Sequence, residues 1–173
     1  KSKTPALNEI EFDLQSIFSV DSVVWHQQKI DFTREEDKLT IPLNNILIEG
    51  QLDSVSIFYQ GNPGNTGFGS FSQTFHNEVP NIWTLSEPYG AMEWWPCKQS
   101  LADKIDSIDI IVTSPEDYRT ASLGVLMEEK VENNFRKMHW KHRFPVATYL
   151  VAVSVTNYVN YSDSLKLEDG RSI

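Results

Sequence analysis

Thr84-Leu85-Ser86-Glu87-Pro88-Tyr89-Gly90-Ala91-Met92-Glu93-Trp94-Trp95-Pro96-Cys97 is the most informative run of this chain. Two adjacent tryptophans stand beside a Pro-Cys pair, a few residues after a Glu-Pro-Tyr-Gly turn. Tryptophan is seldom left on a surface unless it packs or binds something, so this run is a built loop and not a generic connection.

Outward from it, the chain alternates with a period of two. Ile10, Phe12 and Leu14 alternate with Glu11, Asp13 and Gln15, the mark of a half-buried strand. Val55, Ile57 and Tyr59 alternate with Ser54, Ser56 and Phe58, and Ile108, Ile110 and Val112 with Asp109, Ile111 and Thr113. From Val146 to Thr156 the chain is apolar on both faces, which predicts a strand covered on both sides. Turn signals separate these runs: Arg34-Glu35-Glu36-Asp37, Gly61-Asn62-Pro63-Gly64-Asn65, Ser114-Pro115-Glu116-Asp117 and Glu132-Asn133-Asn134. The pattern predicts an all-β fold, a sandwich or barrel, with one helical turn within Gln99–Lys104.

The chain has 173 residues, enough for one domain with its own core. Its apolar fraction of 40% reads as globular, and its net charge is −9. That sign repels phosphate backbones and anionic lipid, so neither nucleic acid nor a membrane is an expected partner. No apolar run approaches the roughly 20 residues of a membrane-spanning helix. The start at Lys1-Ser2-Lys3 and the polar run Lys166–Gly170 lead to the expectation that both ends are cut from something longer. Cys97 is the single cysteine and reads as a small buried apolar side chain.

Catalytic constellations are sparse. None of His26, His76, His139 and His142 opens an H-E-x-x-H arrangement. His139 and His142 lie in a segment that alternates like a strand, where residues three apart face opposite ways. The glycine-rich Gly67-Phe68-Gly69-Ser70-Phe71 follows no nucleophile-elbow pattern and opens no helix. Glu87 stands in a turn stiffened by Pro88, where a glutamate is by default solvated. On an extended strand Trp94 and Trp95 would point oppositely, one into the core and one to a domain boundary, and would form no flat platform.

The run Thr84–Cys97 resembles the signature of the N-terminal domain of the aminopeptidase N family of zinc metallopeptidases. Thr84 takes the place of its Thr, Glu87 of its second Gln/Glu, and Trp95-Pro96-Cys97 of its aromatic-Pro-Cys. Tyr59-Gln60-Gly61-Asn62-Pro63 with Gly67–Phe71 is similar to the segment upstream of the signature in a bacterial branch of the family. Asp103-Lys104-Ile105-Asp106-Ser107 and Pro145–Val153 resemble later family segments, and Ala121-Ser122-Leu123-Gly124 sits where Ser-Asn-Gly is usual. Departures are Leu85 for the first Gln, Met92 for Arg, Lys98-Gln99 for aromatic-Asp, and Leu123 for Asn.

The resemblance implies a saddle-like antiparallel β-sandwich spanning 1–173, with its core in 8–160 and a linker to a catalytic domain beginning in 161–173. It implies no cofactor in this segment, zinc in the parent's catalytic domain, and no catalysis by this segment alone. The implied partners are that C-terminal catalytic domain and the N-terminus of a peptide substrate, whose α-amino group Glu87 would help bind. A secreted or periplasmic location follows from the bacterial branch. Two other readings stay open: a domain of a related scaffold that has lost zinc, and a stand-alone β-sandwich binding module, for carbohydrate among other ligands.

Overall fold

The computed structural model describes residues 1–64, 69–161 and 163–171. In chain order the strands are β1 (Leu7–Asp13), β2 (Ser19–Trp25), β3 (Gln28–Ile30), β4 (Thr33–Glu35), β5 (Lys38–Leu47), β6 (Val55–Gln60), β7 (Ser72–His76), β8 (Val79–Trp83), β9 (Ile108–Pro115), β10 (Arg119–Ser122), β11 (Val125–Glu132), β12 (Phe135–His142) and β13 (Val153–Thr156). Among the described residues the only helical pieces are two 3-10 turns, Ala91–Glu93 and Thr148–Leu150. The all-β, antiparallel expectation holds. Pairing divides the strands into four sheets, ordered β1-β5-β4, β3-β2-β6, β10-β13-β8-β7 and β11-β12-β9.

The first two sheets share a core. β5 alternates so that Leu39, Ile41 and Leu43 are buried, and β2 buries Val23 and Trp25. Val23, Leu39 and Ile41 are 0% exposed, and Phe12, Val20, Phe32 and Ile57 pack against them. Trp25, Leu43 and Leu47 continue this core toward Leu7 and Ile10. Each such side chain contributes about 1.5–3 kcal/mol by leaving water. Pro42 within β5 looks like a strand breaker in sequence. It lies beyond the reach of β4, whose pairing ends at Thr40, and beside the irregularity between Leu7 and Glu9 of β1. A missing donor is tolerated at such a place.

The other two sheets meet at Met138 of β12, which is buried. The Thr120 backbone N–H donates to its Sδ at 3.1 Å, and the Trp140 indole N–H donates to the Thr120 carbonyl at 3.2 Å. Glu129 of β11 accepts from Arg119 of β10 at 2.7 Å and also from Arg136 of β12, so one carboxylate ties the two sheets together. β11 is exposed at every residue on the sheet edge. Its charges at Glu128, Lys130 and Glu132 and the irregularity between Leu126 and Glu128 blunt that edge.

Three hairpins turn on two residues with positive φ: His26-Gln27 (48° and 66°), Asn77-Glu78 (48° and 66°) and Asn133-Asn134 (52° and 65°). Two-residue loops of this hand match the strand twist. Asn133-Asn134 was legible as a turn, because Asn tolerates this region. His26-Gln27 was not; its hand is supported by the His26 ring, stacked on Trp25 at 4.5 Å and bonded to Asp53 at 2.9 Å.

Some expectations need correction. Val146–Thr156 is not one strand. Val146 makes an isolated bridge with Ile105, Thr148–Leu150 form a 3-10 turn, and only Val153–Thr156 are extended in a sheet. Its two-sided apolarity comes from burial of a winding segment, since Ala147, Thr148 and Val151 are all buried. Gln99–Lys104 contains no helical turn; the turn falls at Ala91–Glu93. Strands take Arg34-Glu35 and Ser114-Pro115, leaving Glu36-Asp37 and Glu116-Asp117 as the turns. Asn65, Gly67 and Phe68 lie outside the described residues.

Gly124, between β10 and β11, has φ +93°, and a Cβ there would meet the Lys141 carbonyl oxygen at 2.3 Å. Gly124→Ala therefore combines an unfavourable backbone region with a backbone clash. The expected loss is about 2–4 kcal/mol, read as a lower urea midpoint at unchanged slope.

Candidate functional site

From Thr84 to Ser107 the chain enters no strand, so its polar backbone groups need partners from elsewhere. The run begins where β8 leaves its sheet. Thr84 N–H donates to the Val153 carbonyl at 3.1 Å, and Val153 N–H donates to Thr84 Oγ1 at 2.9 Å. A side chain thus completes a ladder that the backbone has left.

Ser86 is the next fixed point, 2% exposed. Its carbonyl accepts from Gly90 N–H at 2.9 Å, closing the turn Ser86–Gly90, and its Oγ accepts from the Trp94 indole N–H at 2.9 Å. Gly90 is buried against Ser70, where a Cβ would come within 2.0 Å of Ser70 Oγ and 3.3 Å of the Ser86 Cα. A side chain at this position would require Ser70 to move. Gln99 Nε2 donates to the Tyr89 carbonyl, which fixes the far side of the turn.

Beyond Ala91–Glu93 the loop is tied to two more strands. The Met92 carbonyl accepts from Gln15 N–H at 2.9 Å, and the Trp94 carbonyl accepts from the Tyr59 hydroxyl of β6 at 3.0 Å. Cys97 forms an isolated antiparallel bridge with Asp13 at the end of β1, with bonds of 2.7 and 3.0 Å. The Asp13 carboxylate also accepts from Gln99 N–H at 3.0 Å.

The two tryptophans depart from expectation. They follow a 3-10 turn and not a strand, so their rings lie side by side, with centroids 5.9 Å apart and planes tilted by 51°. Both are half-buried, and neither is a core residue. Phe71 lies beside Trp94 at 6.4 Å.

What the loop leaves outside is a small tip. Leu85, Glu87, Pro88 and Tyr89 are exposed, while Ser86 and Gly90 on either side are buried. The Glu87–Pro88 peptide is cis. The Glu87 carboxylate has no hydrogen-bond or ion-pair partner among the described residues. It is a free acceptor on a backbone that its neighbours hold still. Sequence reasoning singled out Glu87 but missed the residues that hold it: Ser70, Ser86, Gly90 and Gln99. Only Gly90 carried a signal, as a glycine closing a turn.

The histidines do not converge. His26 is bound to Asp53, His76 lies at the end of β7, His139 bonds Asp109 at 2.7 Å, and the His142 ring lies 6.0 Å from Phe144. Among the described residues, no three His, Cys, Asp or Glu side chains are placed to hold a metal ion. The described residues therefore do not fit a zinc site.

Residues 2–150 match the family model described as the peptidase M1 N-terminal domain. A search of curated proteins found no match. Among solved structures, the chain is similar to the M1 zinc metallopeptidase from Deinococcus radiodurans, with a TM-score of 0.76 and 24% identity, covering 87% of this chain and 34% of that one. A mutant of that enzyme bound to a Tyr-Ser-Ala substrate gives a TM-score of 0.79 at 22% identity, covering 97% of this chain and 39% of that one. The chain thus spans little more than a third of the length of these solved relatives.

Cys97 shows how closed the loop base is. Burial, reinforced by the Asp13 charge, pushes its thiol up to about 12. A thiol this reluctant to ionise is a poor nucleophile, in keeping with a packing role. At pH 8 the folded chain is expected to resist an aromatic disulfide reagent and to react stoichiometrically once unfolded in urea. The sign is set by the raised value: stability from the neutral thiol is full below the ordinary thiol pKa and is lost as pH rises through about 12.

Proposed function

The chain belongs to the peptidase M1 N-terminal domain family, and on that basis we propose that it is the non-catalytic N-terminal domain of a zinc metalloaminopeptidase. In this reading residues 8–160 form the body of the domain, and 161–173 lead toward a catalytic domain. The domain caps the catalytic cleft and presents Glu87 to the α-ammonium group of the peptide substrate. The observation that carries the reading is the state of Glu87: an exposed, unpartnered carboxylate on a turn whose flanking residues are pinned. It also occupies the signature position where the family's Gln/Glu stands.

The chemistry follows from the carboxylate. An ammonium group offers three donors and a positive charge, and a free carboxylate accepts one of those donors in a charge-assisted bond. A blocked amine offers neither the charge nor the full set of donors, so the contact selects peptides with a free N-terminus. The buried Ser86 and Gly90 hold the backbone on each side of Glu87, which lowers the ordering cost of binding. Zinc, when held by the catalytic domain, would polarise the scissile carbonyl; the described residues of this chain contribute no ligand set to it.

The test belongs in the full-length protein. Glu87→Ala removes one charge-assisted contact, an interaction worth about 1.5–3 kcal/mol, so kcat/KM on free-amine substrates is expected to fall by about ten- to a hundredfold. Glu87→Gln retains an acceptor and is expected to lose less. Thermal unfolding should barely change in either variant, because the side chain supports no core. Undiminished kcat/KM in Glu87→Ala would remove Glu87 from the substrate site.

A further inference from the structure

We propose that Tyr89 is a specificity residue, whose ring contacts the side chain of the substrate's first residue and favours aromatic side chains there over small ones. This rests on the reading of Glu87 as the amine-binding group.

The first step is stereochemical. In an N-terminal residue the ammonium group and the side chain branch from the same α-carbon. Whatever flanks the group that binds the ammonium is therefore placed to meet the first side chain. Tyr89 stands two residues after Glu87 within one closed turn, Ser86–Gly90.

The second step concerns rigidity. The Tyr89 carbonyl is held by Gln99 Nε2, and the next residue, Gly90, is packed against Ser70. The backbone is fixed, but the side chain is 57% exposed. Its ring and hydroxyl have no stacking or hydrogen-bond partner among the described residues. This contrasts with the other aromatics of the same loop: Trp94 is bonded to Ser86 and flanked by Phe71 and Trp95. An aromatic side chain with few rotatable bonds on a rigid turn offers a large contact area at low entropic cost.

The third step is electrostatic. A first residue with an acidic side chain would bring a second carboxylate close to Glu87, and like charges at short range repel. The tip thus favours aromatic first residues through Tyr89 and disfavours acidic ones through Glu87.

The experiment compares fluorogenic amides of phenylalanine, alanine and glutamate, each with a free amine, on the full-length wild-type protein and on Tyr89→Ala and Tyr89→Phe. Tyr89→Ala is expected to lower the phenylalanine-to-alanine ratio of kcat/KM about three- to tenfold, since aromatic pairs contribute modestly beyond their burial. The alanine amide is expected to lose less than the phenylalanine amide, because a methyl group offers the ring little area to contact. Tyr89→Phe should keep the wild-type ratio, because the ring and not the hydroxyl makes the contact. An unchanged ratio in Tyr89→Ala, or an equal loss on all three amides, overturns the assignment of Tyr89 while leaving Glu87 in place. Equal hydrolysis of N-acetylated amides by the wild type, or no effect of Glu87→Ala on any of them, overturns the amine-site reading and this inference with it.

Discussion

A stretch from Thr84 to Ser107 without a strand has to satisfy its buried backbone groups one by one, and that requirement organises this domain. Thr84 is tied to Val153 of β13, Trp94 to Tyr59 of β6, Met92 to Gln15, and Cys97 to Asp13 at the end of β1. Val153, Tyr59 and Asp13 belong to three different sheets, and Gln15 lies between β1 and β2, so the loop links these sheets to one another. A loop of this length without strands is usually functional or disordered, and its hydrogen bonds make this one ordered.

Packing gives the scaffold on which the loop rests. The core around Val23, Leu39 and Ile41 is fully closed, while the contact between the other two sheets relies on Met138, Trp140 and the Arg119–Glu129–Arg136 group. The division is consistent with the chain's composition. Small sheets of three or four strands cannot each bury two faces, so they pair, and polar groups bridge where apolar area runs short. The loop tip lies outside both cores, and Glu87 and Tyr89 are exposed there.

The alternation of Ile10, Phe12 and Leu14, of Val55, Ile57 and Tyr59, and of Ile108, Ile110 and Val112 was enough to place β1, β6 and β9 and the all-β class. Period-two burial is a local property, and each strand states it independently. The tryptophan pair and the Pro-Cys marked the loop in one dimension, whereas Glu87 was marked only by the resemblance of the run to the family signature. Val146–Thr156 misled because apolarity on both sides reports burial and not conformation. A bridge, a 3-10 turn and a short strand bury their side chains as fully as one long strand would.

Tertiary structure alone decided the rest. That Gly90 must lack a side chain depends on Ser70, and that Ser86 must carry a hydroxyl depends on Trp94. The arrangement of Trp94 and Trp95 depends on a 3-10 turn that local pattern did not announce. Sequence determined the all-β class and strands such as β1, β6 and β9, since period-two burial follows from residue type and near-neighbour spacing. Glu87 stood out only through the resemblance of its run to the family signature. Sequence could not determine that Glu87 stays unpaired or that Tyr89 stays uncovered. Those states depend on which distant side chains arrive beside them, and only the folded chain sets those distances.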